Sequence, residues 1–439
     1  DSRKENFPVL ASGANNGGLL TEQTVSESQV NNDIMLKGEF NKLKDVQISA
    51  VLGYNYNNRY SENIGASVRS FILPDAPLDL SNSAKDQRTP FNAQTKVRIN
   101  GAYLQGNIGY KDMLFLDLSG RYERYSTTKD GSFYPSASLA YVFRGSAYDG
   151  NKNFLSFGKF RASYGKVGVP AGAYAWDTYY GPASEVESWG PALDAASAVY
   201  GGGYARSGVQ GNPDIKPEVK TEIELGTDLR FWNDRITLSG TYYKNKTKDV
   251  ILSVQVPSST GFDNKQANIG TIENKGFELE FGANWVRTKD LKITSGIIFS
   301  KNKNKVIDMG GSKSVFLAGF TGSSSRAVEG QPLGTLWGVD FQRDAKGALV
   351  LDADGFPQQN SEEGIIGDPN PDWTGAINTS ISYKGITISA LLDHVEGGAV
   401  WNGTKGALYT FGTHADVGNE VVAPSDIKTY TGATITAGT

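Results

Sequence analysis

The sequence predicts an all-β fold, a transmembrane antiparallel β-barrel, and three observations predict it. Apolar and polar residues alternate with period two over stretches of about 10 residues, the length a tilted strand needs to cross a bilayer and about twice that of a globular strand. Tight polar turns alternate with long connections rich in Gly, Ser and Asn, the plan of a barrel with short turns at one rim and long loops at the other. The 439 residues are rich in aromatics (Tyr 21, Phe 20, Trp 7) and in Gly (52), yet only 38% are hydrophobic. That balance fits strands that are oily on one face, and it excludes a helix bundle.

Taken in order, "DVQISAVLGYNYNNRY" places Val46, Ile48, Ala50, Leu52, Tyr54 and Tyr56 on one face. "GAYLQGNIGYKDMLFLDLSGRYERY" turns at Lys111 and Asp112, and "EIELGTDLRFWNDRITLSGTYYKNK" turns at Asn233 and Asp234. In "NIGTIENKGFELEFGANWVRTKDLKITSGIIFSKNKNK", Phe277, Leu279, Phe281, Ala283 and Trp285 share a face, and Glu278, Glu280, Gly282 and Asn284 share the other. After the turn at "RTKD", Leu291, Ile293, Ile297 and Phe299 oppose Lys292, Thr294, Gly296 and Ser300. "WTGAINTSISYKGITISALLDH" turns at Lys384 and Gly385.

Crossings start near residues 32, 46, 96, 114, 132, 154, 219, 236, 274, 290, 374 and 386, with long connections at about 61–95, 168–218, 251–273 and 305–373. An even number of crossings must separate the turns at "RTKD" and "YKG", and the strands near 290 and 374 supply both. Residues 168–218 and 305–373 are therefore expected to be large extracellular loops, the second with local β-structure. Open sheet edges cannot face lipid, so the chain reads as part of a larger barrel.

Other chemistries find little support. Without cysteine there is no disulfide framework, thiolate nucleophile or thiolate metal site. His394 and His414 are the two histidines; the first is expected to cap a strand end and the second to lie in a loop. A net charge of −4 with no basic stripe argues against nucleic acid. Glu278 and Glu280 have a spacing compatible with a pair of glycosidase carboxylates, but on one strand face they do not flank a bond, and lumen lining is the stronger reading. "DADG" at 352–355 lacks the glycine spacing of a calcium loop, and "GGGY" at 201–204 lacks the lysine and the helix of a phosphate loop. No catalytic residue, metal site or cofactor is expected.

Several phrases, in order, carry a resemblance: "GNPDIKPEVKTEIELGTDLRFWNDRITLSGTYYKNKTKDVIL", "NIGTIENKGFELEF", "VEGQPLGTLWG", "GDPNPDWTGAINTSISYKGITISALLD" and "VWNGTKGALYTFGTH". Together they closely resemble the SusC/RagA family of TonB-dependent outer-membrane transporters. The resemblance implies a 22-stranded barrel in the outer membrane of a Gram-negative bacterium, around an N-terminal plug with a TonB box. It also implies a SusD-like surface lipoprotein at the mouth, import of oligosaccharides or peptides driven through the TonB complex, and dimers of transporter–lipoprotein pairs. Plug, TonB box and final strands are not found in residues 1–439, which read as the receptor barrel domain in part. The alternatives are a siderophore-type receptor without a SusD partner and a passive or structural barrel.

Carried over by position, Asn212, Pro213, Lys216, Pro217 and Glu218 lead into one strand, and Asn268, Gly270, Asn274, Lys275 and Gly276 into the next. Gly367, Asp368, Pro369, Asn370, Pro371, Asp372 and Trp373 form a third motif, with Trp373 a candidate for the outer aromatic girdle. All three are expected to be structural. For substrate contact the loop after residue 168 is favoured, through Tyr174, Trp176, Tyr179, Tyr180 and Trp189, because aromatic faces stack on sugar rings and peptide side chains alike.

Overall fold

A computed structural model describes residues 2–7, 18–40, 42–73, 79–144, 154–182, 184–185, 193–194, 204–320, 323–353, 357–415, 427–428 and 434–435. Thirteen strands build the wall: β1 (Ser2–Phe7), β2 (Leu19–Phe40), β3 (Val46–Arg69), β4 (Arg88–Tyr110), β5 (Leu114–Tyr125), β6 (Ser132–Arg144), β7 (Leu155–Val169), β8 (Glu218–Phe231), β9 (Ile236–Lys248), β10 (Thr271–Arg287), β11 (Leu291–Asp308), β12 (Pro371–Tyr383) and β13 (Ile386–Gly397). Each pairs with its neighbours in chain order. The chain divides into two units, residues 1–143, 161–223 and 247–268, and residues 144–160, 224–246 and 269–439, so that β7, β8 and β9 contribute to both.

In the first unit, register turns the sequence alternation into rows. Ile48, Ile108, Leu116 and Leu139 lie directly opposite one another across β3 to β6. On the other face Ser49, Asn107, Asp117 and Ser138 form an equivalent polar row. The apolar face is bounded by Val46, Tyr110, Leu114 and Tyr141 toward the short turns and by Tyr54, Ala102, Tyr122 and Phe133 toward the long loops. Those rows are separated by eight residue steps, about 26 Å along the strands, and a tilt near 40° reduces this to roughly 20 Å, close to the height of a barrel's lipid-facing band. Such a wall has no core of its own, and side chains such as Ile34 (75% exposed) and Leu36 (72%) stay open on the apolar face. The buried cluster of Leu20, Val68 and Phe71 instead sits at the loop end of β2 and β3.

The second unit repeats the scheme. Phe281, Ile297, Ile377 and Leu392 align across β10 to β13, as do Leu279, Phe299, Gly375 and His394. Phe299 stacks on Trp373 at 5.7 Å between ring centroids, and Trp373 meets the His394 ring at 4.9 Å. His394 thus sits within β13, hydrogen-bonded to Glu396, and does not cap the strand end as expected. The ring occupies a place in the aromatic row that a cap would not need. At the turn end Phe154, Phe231 and Trp232 pack together. A register shift between Asn284 and Val286 makes Trp285 a bulge residue, packed on Phe281.

The short turns have the geometry that hairpins need. Lys384 and Gly385 both take positive φ (45° and 93°) between the paired residues Tyr383 and Ile386, a two-residue turn whose twist matches the strands. Lys111, Asp112, Asn233 and Asp234 also have positive φ. Two boundaries depart from expectation. β3 and β4 continue to Arg69 and Arg88, so about half of the 61–95 connection is strand; and β2, expected to start near residue 32, begins at Leu19 and pairs with β1.

The long connections hold small sheets of their own. Residues 209–210, 264–268 and 251–255 form one, within the first unit. Between β11 and β12, residues 314–320, 323–328, 335–338 and 364–367 form a four-stranded sheet outside the wall. It is tied to the end of β11 where the Val306 N–H donates to the Gln331 carbonyl and the Gly330 N–H to the Val306 carbonyl. After β13 comes one short helix, α1 (Gly403–Thr410), capped by the Asn402 side chain, with His414 stacked on Tyr409.

Candidate functional site

Two surfaces can meet a solute: the polar face of the wall and the loops above it. In the first unit the polar face is a connected network. Asn31, Asn55, Asp33 and Asn57 bond to one another across β2 and β3 at 2.9–3.1 Å. Gly101 of β4 leaves an opening that a Cβ would close, and the Arg121 guanidinium crosses it to reach Asn55 at 3.3 Å. Arg121 also pairs with Glu123, which accepts from the Tyr125 hydroxyl, and the Tyr125 and Tyr134 hydroxyl oxygens are a hydrogen bond apart at 3.1 Å. Nearer the turns a depression of about 250 Å³ is lined by Asp117, Ser119, Ser136, Ser138, Lys220 and Glu222 among others. Arg121 with Glu123, Lys220 with Glu222 and Asp117 with Ser138 are paired or hydrogen-bonded here.

In the second unit Glu278, Glu280 and Asn284 lie opposite Ser300, Ile298 and Thr294. They share their face with Asn274, the centre of an amide ladder: Asn274 donates to Asn245 at 3.2 Å and accepts from Asn302 and Asn304. Asn304 in turn accepts from the Leu333 N–H at 2.7 Å. Gly276 lies beneath the Tyr243 ring, which a Cβ would displace, so a glycine is needed there.

The remaining motif residues act as staples. The Asn268 side chain accepts from the Lys216 N–H at 2.8 Å and donates to the carbonyls of Lys216 and Asp249, while Glu218 accepts from the Ile251 N–H. Asn212 accepts from the Asp214 N–H in an Asx turn beside Pro213 and Pro217, and Ile215 between them is buried. Gly270 has φ +92°. Asp368 accepts through its side chain from Asn370 and through its carbonyl from the Ala399 N–H, and the Gly367 backbone passes too close to Ala399 for a side chain. Asp372 lies against Gly397 at the start of the Pro371–Tyr383 strand.

Those staples also hold the aromatic loop. The Asn212 N–H donates to the Ala175 carbonyl, and the Gly211 N–H donates to Thr178 Oγ1. Tyr174 and Tyr179 meet edge to face at 5.8 Å, and the Tyr179 hydroxyl donates to the Tyr174 carbonyl. Burial, followed by the nearby Asp177 carboxylate, pushes the Tyr179 phenol above its ordinary value, so it stays a donor. Trp176 is open at one side, and Tyr180 is 67% exposed. Trp189 lies outside the described residues. Sequence reasoning missed Tyr204, whose strand pairs with that of Tyr180, and Arg206, held over the Phe262 ring at 4.0 Å. An aromatic and an arginine next to a glycine run were the available signal. Among the described residues no group of three or more His, Asp or Glu is arranged to hold a metal.

Comparison with known proteins gives consistent results. A family profile described as "TonB dependent receptor-like, beta-barrel" matches residues 3–436. TonB-dependent receptor P26 of Formosa agariphila is 27% identical over 416 residues, covering 88% of this chain and 41% of that protein. TonB-dependent receptor SusC of Bacteroides thetaiotaomicron is 25% identical over 282 residues, covering 59% of this chain and 27% of that one. Among solved structures, the RagAB peptide transporter superposes with a TM-score of 0.71 at 20% identity, over 90% of this chain and 44% of that one. The chain spans less than half the length of the relatives it matches, and these relatives are named as receptors and transporters, not as enzymes.

Proposed function

The chain belongs to the TonB-dependent receptor-like β-barrel family, and from that premise we propose that it is the wall of a SusC-like active importer in the outer membrane of a Gram-negative bacterium. Its cargo is an oligosaccharide or a peptide, its partner a SusD-like lipoprotein at the outer mouth, and its drive comes through TonB. The observation that carries this reading is the sidedness of the wall: an apolar face bounded by aromatic rows, and a polar face of linked Asn, Ser, Arg and Glu side chains. The similarity to SusC and to the RagAB transporter supports the substrate class and the lipoprotein.

In this reading Glu278, Glu280 and Asn284 line the lumen, and residues 168–218 and 305–373 are extracellular. Tyr174, Trp176, Tyr179 and Tyr180 contact cargo, with Trp189 next along the loop. Stacking rings bury large area at small cost in rotamer entropy. The test is to purify the full-length protein from outer membranes in mild detergent and identify its companions by mass spectrometry. A stoichiometric surface lipoprotein is expected. The transporter purifying alone, with uptake unchanged when Trp176 and Tyr180 are both replaced by Ala, would contradict the proposal.

A further inference from the structure

In "YYKNKTK" and "FSKNKNK" every second residue is lysine, and the structure separates the two sets. Asn245, Asn302 and Asn304 join the polar-face ladder on Asn274. The lysines stand on the opposite, apolar face. Lys301 lies opposite Phe277, Lys303 opposite Lys275 and Lys305 opposite Glu273. Lys244 and Lys246 follow Tyr242 with the same parity on β9, whose Gly240 faces Leu279 and Phe277. Each series starts two residues beyond an aromatic, Tyr242, Phe277 or Phe299, about 7 Å along the strand. Six lysines thus form a belt directly past the loop-end edge of the apolar band.

One carboxylate on this face answers them: Glu273, which binds Lys244 at 3.2 Å. Lys275, Lys301 and Lys303 are exposed and form no ion pair with a described residue. A single lysine at a membrane boundary explains itself by reaching for water. Like charges directly opposite in a sheet are destabilising, and the Lys275–Lys303 pair carries that cost unless an anion sits between them. In the first unit, too, Arg124, Arg98 and Lys96 stand exposed on the face that carries Tyr54 and Tyr122, two, four and six residues past that aromatic row, with no acidic partner among the described residues.

We infer that the lysine belt of β9, β10 and β11 is a binding surface for the phosphate headgroup of an outer-leaflet glycolipid. Charge complementarity selects the occupant: the site faces the bilayer at headgroup depth, so its anion is one anchored by acyl chains. Ammonium groups on flexible stems bind phosphate as point charges and gather around it without a fixed fork. The inference rests on the outer-membrane wall proposed above, with the long loops outward.

The test uses the full-length protein and a triple variant, Lys275→Gln, Lys301→Gln and Lys303→Gln, with Lys289→Gln and Lys384→Gln at the turn end as a charge control. Each is reconstituted into phosphatidylcholine nanodiscs doped with lipid A or with its dephosphorylated form, and retained glycolipid is counted by native mass spectrometry. Retention of the phosphorylated form by the wild type is expected to fall about tenfold or more in the triple variant, given the strength of basic residues near an anionic surface, and to weaken with salt. The control is expected to match the wild type. Equal retention by wild type and triple variant, or equal retention of both lipid forms, would overturn the inference even though heat-modifiable migration shows a folded barrel. Failure of the protein to reach the outer membrane at all would overturn the functional proposal instead.

Discussion

Leu279 and Glu280 are neighbours in sequence on opposite faces of one strand, and at the residue scale that contrast gives the account its simplest test. Leu279 aligns with Phe299 and Gly375 on the apolar face, while Glu280 lies opposite Ile298 on the polar one. Leu279→Arg in the full-length protein is expected to impair assembly, because a basic residue facing lipid costs roughly 2–4 kcal/mol near the midplane and less toward the interfaces. Glu280→Arg is expected to be tolerated. The measurement is the fraction of heat-modifiable barrel in outer membranes, and equal loss from both variants would reverse the assigned faces. The facing of both residues was legible in the alternation itself. The roles of Asn268 and Asn274 were not, because an asparagine stapling two loops and one joining an amide ladder look alike until the strands are paired.

At the scale of the element, hairpins with short polar turns were readable wherever one face meets lipid, since the medium enforces period two. Legibility ended where the strands leave the band. From Asn58 to Asn63 both faces of β3 are polar, so the pattern that marks a strand disappears although the pairing with β4 continues. His394 was misjudged for a related reason: its partner in the aromatic row, Trp373, comes from a different strand. The excursion between β11 and β12 yields a prediction of its own. Gly347 sits at an exposed turn with φ +83°, closed by the Gly347 N–H to the Asp344 carbonyl. A protease site inserted there is expected to be cut on intact cells. Protection from outside combined with cleavage from the periplasm would invert the orientation.

At the scale of the whole molecule, a wall with two unlike faces links the sequence alternation to the proposed transport. In the proposed reading the apolar face meets the bilayer, the polar face lines a wet passage, and the stapled loops carry Tyr174, Trp176, Tyr179 and Tyr180 as cargo contacts. These 439 residues contain no cysteine, so none of their native side chains competes in the most direct test. Single cysteines placed at 277, 278, 279, 280 and 281 of the full-length protein, in native outer membranes, would be exposed to a water-soluble maleimide and to a lipid-phase quencher. The account predicts aqueous labelling of Glu278→Cys and Glu280→Cys, and quenching from lipid at Phe277→Cys, Leu279→Cys and Phe281→Cys. Labelling without that alternation, or with the two sets exchanged, would contradict it.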